Sequence, residues 1–489
     1  MNEKPSFNLS LLADLYELTM MQGYFLTHPD QHAVFEMFFR RQPFDGGFSI
    51  LAGPGPLIDT ILQLRFNTPD LDYLRSLKIF EESFLEYLSG FRFSGDIWSM
   101  PEGSVVFPNE PLLRIHGNII ETQLLESIVL NLVNFQTLIA TKTARVAHAA
   151  NGGAIIEFGL RRAHGVDGAV SATRAAFIGG ATASSNVLAG ALYGIPVRGT
   201  MAHSWVMSFE SELAAFERYA QLFPENCILL VDTYDTLGSG VPNAIRVFLE
   251  LKQKGYKGFG IRLDSGDLEY LSRRSREMLD LAGLKDAKIM ASNELDEWII
   301  NQIVKNNSPI DGWGVGSKIV TADKDPFLTG VYKLAAKTEH QAMQPVMKIS
   351  NNPEKTTLPG IKNVLRFYDS HHLMLADLLY LEEEEEEILE TVRLNKPVFF
   401  HHPSIDQAGF SSSAYTRAEK LLGPVIQKGS LIADQPEINA IRSRAAQGLG
   451  SLDQTYKRLI NPHRYKISIS TRLKEMKNRL IREYGLRQP

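Results

Sequence analysis

Six short apolar runs between residues 154 and 315 each stop at a knot of Gly, Asp, Arg, His or Ser, and a helix-like stretch follows nearly every one. The runs and their tips predict strands at Ala154–Phe158, Pro196–Gly199, Ile228–Asp232, Gly258–Leu263, Lys288–Ala291 and Gly312–Val315. Between them the spacing predicts helices at Ser185–Tyr193, Phe209–Leu222, Asn243–Lys254, Leu268–Ala282 and Leu295–Lys305. Strands alternating with helices imply a parallel sheet with crossover helices. Parallel barrel enzymes gather reactive groups where their strands end, so the knots speak about function as well as fold. An open doubly wound sheet would give a similar alternation.

The flanking chain reads differently. Leu11 to Phe25 has helical spacing, and Val34 to Phe39 reads as a strand. The segment 43–48 is a loop, and Leu57–Leu64 and Phe80–Leu88 are helix candidates. The stretch 103–115 reads as two strands paired across a Pro-Asn turn. Past Gly330, Pro345–Ile349 and Val364–Tyr368 look like strands flanking a loop over Pro353–Gly360. The run Glu382–Glu387 reads as a solvated helix face or loop. From Lys457 onward ten Lys/Arg stand against two Asp/Glu. A solvated or intersubunit helix face explains that bias better than nucleic acid does.

Composition narrows the class. With 489 residues, 44% of them hydrophobic and a net charge of −5, the chain suits a soluble protein of two or three domains. Nothing in that charge calls for nucleic acid or an anionic membrane. The single cysteine, Cys227, sits in an apolar run, so an inert buried thiol in a reducing cytoplasm is expected. Residues 175–197 carry no charge, a length sufficient to span a bilayer. Their Gly179-Gly180, Ser184-Ser185-Asn186 and Pro196 suit a loop and a small-residue helix instead. Asp14 and Glu17 interrupt the apolar N-terminal stretch, so no signal peptide is expected.

Five of the knots carry the chemistry. In Gly260-Ile261-Arg262-Leu263-Asp264-Ser265-Gly266-Asp267 a strand delivers one guanidinium and two carboxylates. Arginine grips phosphate through paired N–H donors. The carboxylates suit ribose hydroxyls or a Mg²⁺ ion carried by phosphates. A salt-bridged strand end is the bland alternative. In Gly312-Trp313-Gly314-Val315-Gly316-Ser317-Lys318 alternating glycines and a hydroxyl suit a monophosphate nest. The Walker spacing is absent, and a tight turn of small residues is the plain reading. His203 follows a strand end, where an imidazole serves as base or nucleophile near neutral pH. Asp232 could hold its other nitrogen, with Asp235 as the alternative. Phe158 and Arg161 pair an aromatic face with a cation, as a flat anionic ring requires; Arg162 could replace Arg161, and Phe158 could be core.

In this order the motifs resemble the nicotinate phosphoribosyltransferases, the ATP-coupled enzymes of NAD salvage. The resemblance runs from Asp14-Leu15-Tyr16-Glu17-Leu18-Thr19-Met20 and Phe35-Glu36-Met37-Phe38-Phe39-Arg40 through all six knots. It continues to Tyr332-Lys333-Leu334 and Leu358-Pro359-Gly360, with a fainter echo in Asn461-Pro462-His463-Arg464-Tyr465. It implies an irregular β/α barrel of the type II phosphoribosyltransferases over residues 136–335. An N-terminal α+β domain over 9–135, completed by 336–395, and a mostly helical C-terminal segment over 396–489 would accompany it.

The resemblance also implies a reaction. Nicotinate joins C1 of phosphoribosyl pyrophosphate, giving nicotinate mononucleotide and pyrophosphate. Arg262 would meet phosphate, Asp264 the ribose hydroxyls, and Gly314, Gly316 and Ser317 the 5′-phosphate. Phe158 would form one wall of the nicotinate slot with Arg161 near the ring. Tyr16, from the neighbouring subunit of a homodimer, would form the other. His203 matches the histidine that ATP phosphorylates, with Asp232 behind it, and Mg²⁺ would accompany the polyphosphates. The loop Gly179 to Asn186 holds only neutral groups, with hydroxyl donors that include Ser184, which suits a carboxylate better than an amide. A nicotinamide or quinolinate phosphoribosyltransferase is the alternative within enzymes, and a non-catalytic phosphosugar-binding barrel is the alternative outside them.

Overall fold

The computed structural model describes residues 9–352, 355–405 and 407–485. They divide into two compact units: residues 139–326, and residues up to 138 together with those from 327 onward. The helix Ile119–Ala149 passes from one unit into the other.

The 139–326 unit contains a six-stranded sheet built from β1 (Ala154–Glu157), β2 (Ala183–Ser184), β3 (Cys227–Leu230), β4 (Phe259–Leu263), β5 (Lys288–Asn293) and β6 (Gly312–Val315). The order is β2-β1-β6-β5-β4-β3, and every pairing is parallel. Helices Val187–Tyr193, Glu212–Leu222, Val241–Gln253, Leu268–Leu281 and Glu297–Lys305 follow the strands as their spacing predicts. Local chemistry sets their starts. Asn186, Ser211, Asp267 and Asp296 each cap a helix by accepting a backbone N–H. Leu229, Val231, Ile261, Leu263, Val247 and Phe248 pack into one apolar core, which includes Cys227.

This sheet is the irregular barrel wall, with one departure from expectation. The strand expected at Pro196–Gly199 shrinks to a single bridge between Val197 and Ser184. The second wall strand is Ala183–Ser184, inside the expected loop. The charge-free stretch 175–197 is broken into the end of one helix, that strand and a short helix. A different helix, Ile119–Ala149, is long and apolar enough to cross a membrane by length and composition, and 61% of its most apolar window is buried within the protein.

The other unit holds two large sheets and a two-stranded one, Ser49–Ile50 with Val105–Val106. Its seven-stranded antiparallel sheet runs Ala342–Pro345, Gly330–Glu339, His32–Phe39, Leu113–Asn118, Asp96–Ser99, Gly423–Gln427 and Ser430–Leu431. Its six-stranded sheet includes Lys362–Tyr368, Met374–Leu381 and Ile467–Ile469. Four expectations are corrected. Val105–Val106 pairs with Ser49–Ile50, and Leu113–Asn118 with His32–Phe39 and Asp96–Ser99, so 103–115 is not a hairpin. The strand expected at Pro345–Ile349 ends at Pro345; the loop after it begins at residues 353–354, which lie outside the described set. Between 396 and 435 the chain forms five short strands before any helix, so the C-terminal segment is not mostly helical. Gly423–Gln427 pairs with Asp96–Ser99, so that segment completes the N-terminal fold along with 336–395.

The glutamate run does more than face solvent. Glu382 pairs with the buried guanidinium of Arg114 at 2.7 Å, and buried Glu384 accepts from the Leu381 amide and the Ser470 hydroxyl. Glu17 gives this unit a titratable core group. It is buried, accepts from the Ser127 hydroxyl, and leaves its second oxygen without a partner among the described residues. Burial raises its pKa to about 7, with the Ser127 bond opposing and the Glu126 charge adding to the rise. The folded state therefore holds this proton more tightly than the unfolded chain, and its stabilising contribution, complete below the unfolded pKa near 4.5, is lost as pH rises through 7. The thermal midpoint of Glu17→Gln should fall less than that of the parent between pH 5 and 8; parallel curves would refute the shift.

Candidate active site

The chemistry converges where β1, β3, β4, β5 and β6 end. Arg262, on β4, is half-buried and braced by three side chains. Its Nε donates to Ser292 Oγ at 2.8 Å, its Nη2 to Asp264 Oδ1 at 2.8 Å, and its Nη1 to Thr200 Oγ1 at 2.9 Å. The guanidinium carbon lies 5.5 Å from the centre of the Phe158 ring, within cation–π range. Ser292, at the tip of β5, also donates to Asp264 Oδ1. Burial tends to raise the Asp264 pKa, but the Ser292 hydrogen bond and the charge and hydrogen bond of Arg262 outweigh it, so the carboxyl sits below its usual range. It is an anion at neutral pH.

His203 opens a short helix with its ring 40% exposed. Nε2 lies 3.8 Å from Asp264 Oδ2, and Nδ1 lies 3.1 Å from Thr233 Oγ1. This corrects the expected histidine–aspartate pair. Asp232 faces β4 instead: its Oδ2 accepts from the Asp264 amide at 2.9 Å and the Ser265 hydroxyl at 2.6 Å. Its Oδ1 is buried with no partner among the described residues. Asp235 caps its own turn by accepting from the Gly238 amide. The hydroxyl of Thr233 both donates and accepts, so it holds the ring without dictating the tautomer.

The aromatic wall rests on glycine. A Cβ on Gly314 would sit 2.5 Å from the Phe158 ring, so only glycine lets that ring lie against β6. Gly314 also pairs on both sides, with Ser292 and Ile156. Its place is under the aromatic ring rather than in a free phosphate loop. Gly316 lies beyond the strand, and the Ser317 hydroxyl reaches Glu294 at 3.2 Å.

Ser184 is corrected as well. It is buried, and its hydroxyl donates to Glu157 Oε2 at 2.6 Å. Thr182 donates to the Ile155 carbonyl, and Asn186 is spent on Thr173 and the cap of its own helix. These donors are taken up within the protein, so they do not form the donor-rich pocket the loop's composition suggests. Ser184 holds the buried Glu157, which also accepts from Thr173 and the Gly159 amide, beneath the loop that carries Phe158 and Arg161. Arg161 and Arg162 lie exposed on a 3₁₀ turn and make no ion pair among the described residues. Tyr16, in the other unit, is 46% exposed on helix Leu15–Thr27. Burial raises the pKa of its hydroxyl, and the neighbouring Glu126 carboxylate adds to the rise.

Thr200, Thr233, Ser292 and Glu157 were not among the expected site residues. All four stand inside the strand-end knots, and that position was the only signal for them.

Two family models match this chain: the nicotinate phosphoribosyltransferase (NAPRTase) N-terminal domain over residues 11–134 and the C-terminal domain over residues 361–477. The chain is 42% identical over 486 residues to the nicotinate phosphoribosyltransferase of Bacillus subtilis (strain 168), covering 97% of each. Its fold is similar to the crystal structure of human nicotinic acid phosphoribosyltransferase, with a TM-score of 0.81 at 31% identity over 96% of this chain and all of that one. A nicotinate-nucleotide pyrophosphorylase from Pyrococcus furiosus shares the fold, with a TM-score of 0.68 at 20% identity over 92% of this chain and 98% of that one.

Proposed function

This chain belongs to the nicotinate phosphoribosyltransferase family and makes nicotinate mononucleotide from nicotinate and phosphoribosyl pyrophosphate in NAD salvage; we propose that it couples the synthesis to ATP hydrolysis through a phosphohistidine at His203. The supporting observation is the convergence of Arg262, Asp264 and His203, with 2.8 Å across the first pair and 3.8 Å across the second.

The ring nitrogen of nicotinate attacks C1 as the bond from C1 to the pyrophosphate oxygen breaks, so positive charge grows on the ribose while negative charge leaves with pyrophosphate. Arg262 neutralises phosphate charge, and the ionised Asp264 lies beside the sugar's hydroxyls. Phe158 and Arg161 hold the flat anionic ring against C1, which removes the entropy cost of encounter. Gly316 and Ser317 take the 5′-phosphate. Because the donors of the loop 179–186 are spent internally, recognition of the nicotinate carboxylate falls to the exposed arginines. In the coupling step a lone pair on the His203 ring bonds the γ-phosphorus of ATP as ADP leaves; water later cleaves the nitrogen–phosphorus bond.

Mg²⁺ carried by the polyphosphates fits this donor set. The buried Oδ1 of Asp232, without a partner among the described residues, and the ionised Asp264 are hard oxygen ligands of the kind it takes, and the ion would offset phosphate charge. The enzyme acts in the cytoplasm as a homodimer, without nucleic acid or membrane, with Tyr16 closing the nicotinate slot of its neighbour. Labelled nicotinate with phosphoribosyl pyrophosphate, with and without ATP, tests the reading, and competition by nicotinamide or quinolinate tests its substrate. No product under either condition would end it. The shared slot has its own test: Tyr16→Ala and His203→Ala chains, mixed and allowed to exchange, should recover ATP-coupled activity that neither has alone, and mixtures that stay inactive would refute it.

A further inference from the structure

A guanidinium carries five N–H donors, and in Arg262 four contacts already use them: Ser292 Oγ, Asp264 Oδ1, Thr200 Oγ1 and, at 3.4 Å, the Met201 carbonyl. The edge formed by Nε and Nη2 is closed by Ser292 and Asp264, which are themselves hydrogen-bonded to each other. On the other edge Nη2 keeps one N–H, while Nη1 is turned to Thr200 and Met201. A forked grip on phosphate takes two parallel N–H groups. Arg262 therefore acquires it by giving up its bonds to the 200–201 backbone and side chain.

Thr200 is built to accept from the arginine. Its own hydroxyl proton goes to the Met201 carbonyl at 3.2 Å, which leaves an oxygen lone pair for Nη1. The segment that follows carries His203, whose ring is tethered separately to Thr233 at 3.1 Å. One short stretch of chain is thus held at two points, one by the arginine and the other through the histidine.

We infer that Thr200 is a positioning residue that holds Arg262 on the His203 loop until a substrate phosphate displaces it, so that gripping the sugar's phosphates and repositioning the histidine are one linked event. The inference rests on the assignment of Arg262 to the phosphates of phosphoribosyl pyrophosphate. Linkage makes the effect reciprocal: a change at His203 that loosens the loop frees the arginine, and an arginine drawn to phosphate frees the loop.

Thr200→Val keeps the shape and removes the acceptor. Calorimetric titration of the full-length variant with phosphoribosyl pyrophosphate, without ATP, should show binding about fivefold tighter than the parent, the equivalent of one competing hydrogen bond. Coupling through His203 should make ATP tighten that binding in the parent; the factor should shrink by a similar amount in Thr200→Val, while Thr200→Ser should match the parent in both measurements. Parent-like affinity and parent-like ATP response in Thr200→Val would overturn the inference; if that variant does not fold, Thr200→Ala gives the same comparison. A parent protein that takes up no phosphoribosyl pyrophosphate would sink the functional reading itself, whereas a parent that binds and a variant that binds equally would sink only the role of Thr200.

Discussion

Replacing Arg262 by alanine should lower kcat/KM for phosphoribosyl pyrophosphate by about 10²- to 10³-fold, the range for losing a principal charge-stabilising donor in a transition state. The side chain gathers Ser292, Asp264 and Thr200 and lies over Phe158. Removing it leaves Asp264 without its charge partner, in the site where the proposed reaction would gather negative charge on pyrophosphate. Arg262→Lys should recover only part of the loss, because an ammonium cannot fork between a phosphate and the carboxylate. Steady-state kinetics in both substrates check this. A variant within threefold of the parent would mean that the phosphates are held elsewhere.

His203→Ala should abolish the ATP dependence of the reaction. The variant should form product at the slow rate the parent shows without ATP, and added ATP should neither accelerate it nor be hydrolysed. Folding should survive, since the ring is 40% exposed and its polar partners among the described residues are Thr233 and Asp264, the kind of site where substitution shifts stability by about 0.5 kcal/mol or less. Persistent ATP stimulation in this variant would move the coupling chemistry to another residue.

The sequence reveals what local chemistry decides, and in this chain that is a good deal. Asp267 marks the start of its helix because the cap is made by the residue itself and amides two or three positions on; Ser211 and Asp296 cap in the same way, and the expected starts at Phe209 and Leu295 fall short of them. Strand β3 is legible because a strand buried on both faces reads as an unbroken apolar run, and β4 to β6 because short apolar stretches stop at polar or glycine-rich tips. Pairing between distant segments is not legible. Val105–Val106 follows every local rule for a hairpin with Leu113–Asn118, yet pairs with Ser49–Ile50. The helix Ile119–Ala149 was not anticipated either, since it buries much of its circumference and lacks a single apolar stripe.

The site divides in the same way. Arg262, Asp264 and His203 stand out because charged and nucleophilic groups at strand tips are chemically conspicuous. Neutral hydroxyls are not. Thr233 rather than Asp232 meets the imidazole, one residue along the same tip, and only the direction of the backbone there decides between them. Ser184 illustrates the converse: a hydroxyl in a promising loop is spent on Glu157, an acid that nothing in its local sequence marks as a partner. Gly314 was read for its backbone, when its missing side chain is what matters under the Phe158 ring.

The most direct test of the account is the identity of the phosphorylated residue. The enzyme should be incubated with ATP labelled in its terminal phosphate, digested under mildly alkaline conditions that preserve phosphohistidine, and its peptides sequenced. The label should lie on His203 alone and disappear when phosphoribosyl pyrophosphate and nicotinate are added together. Label on another residue, or none despite ATP-stimulated synthesis, would contradict it.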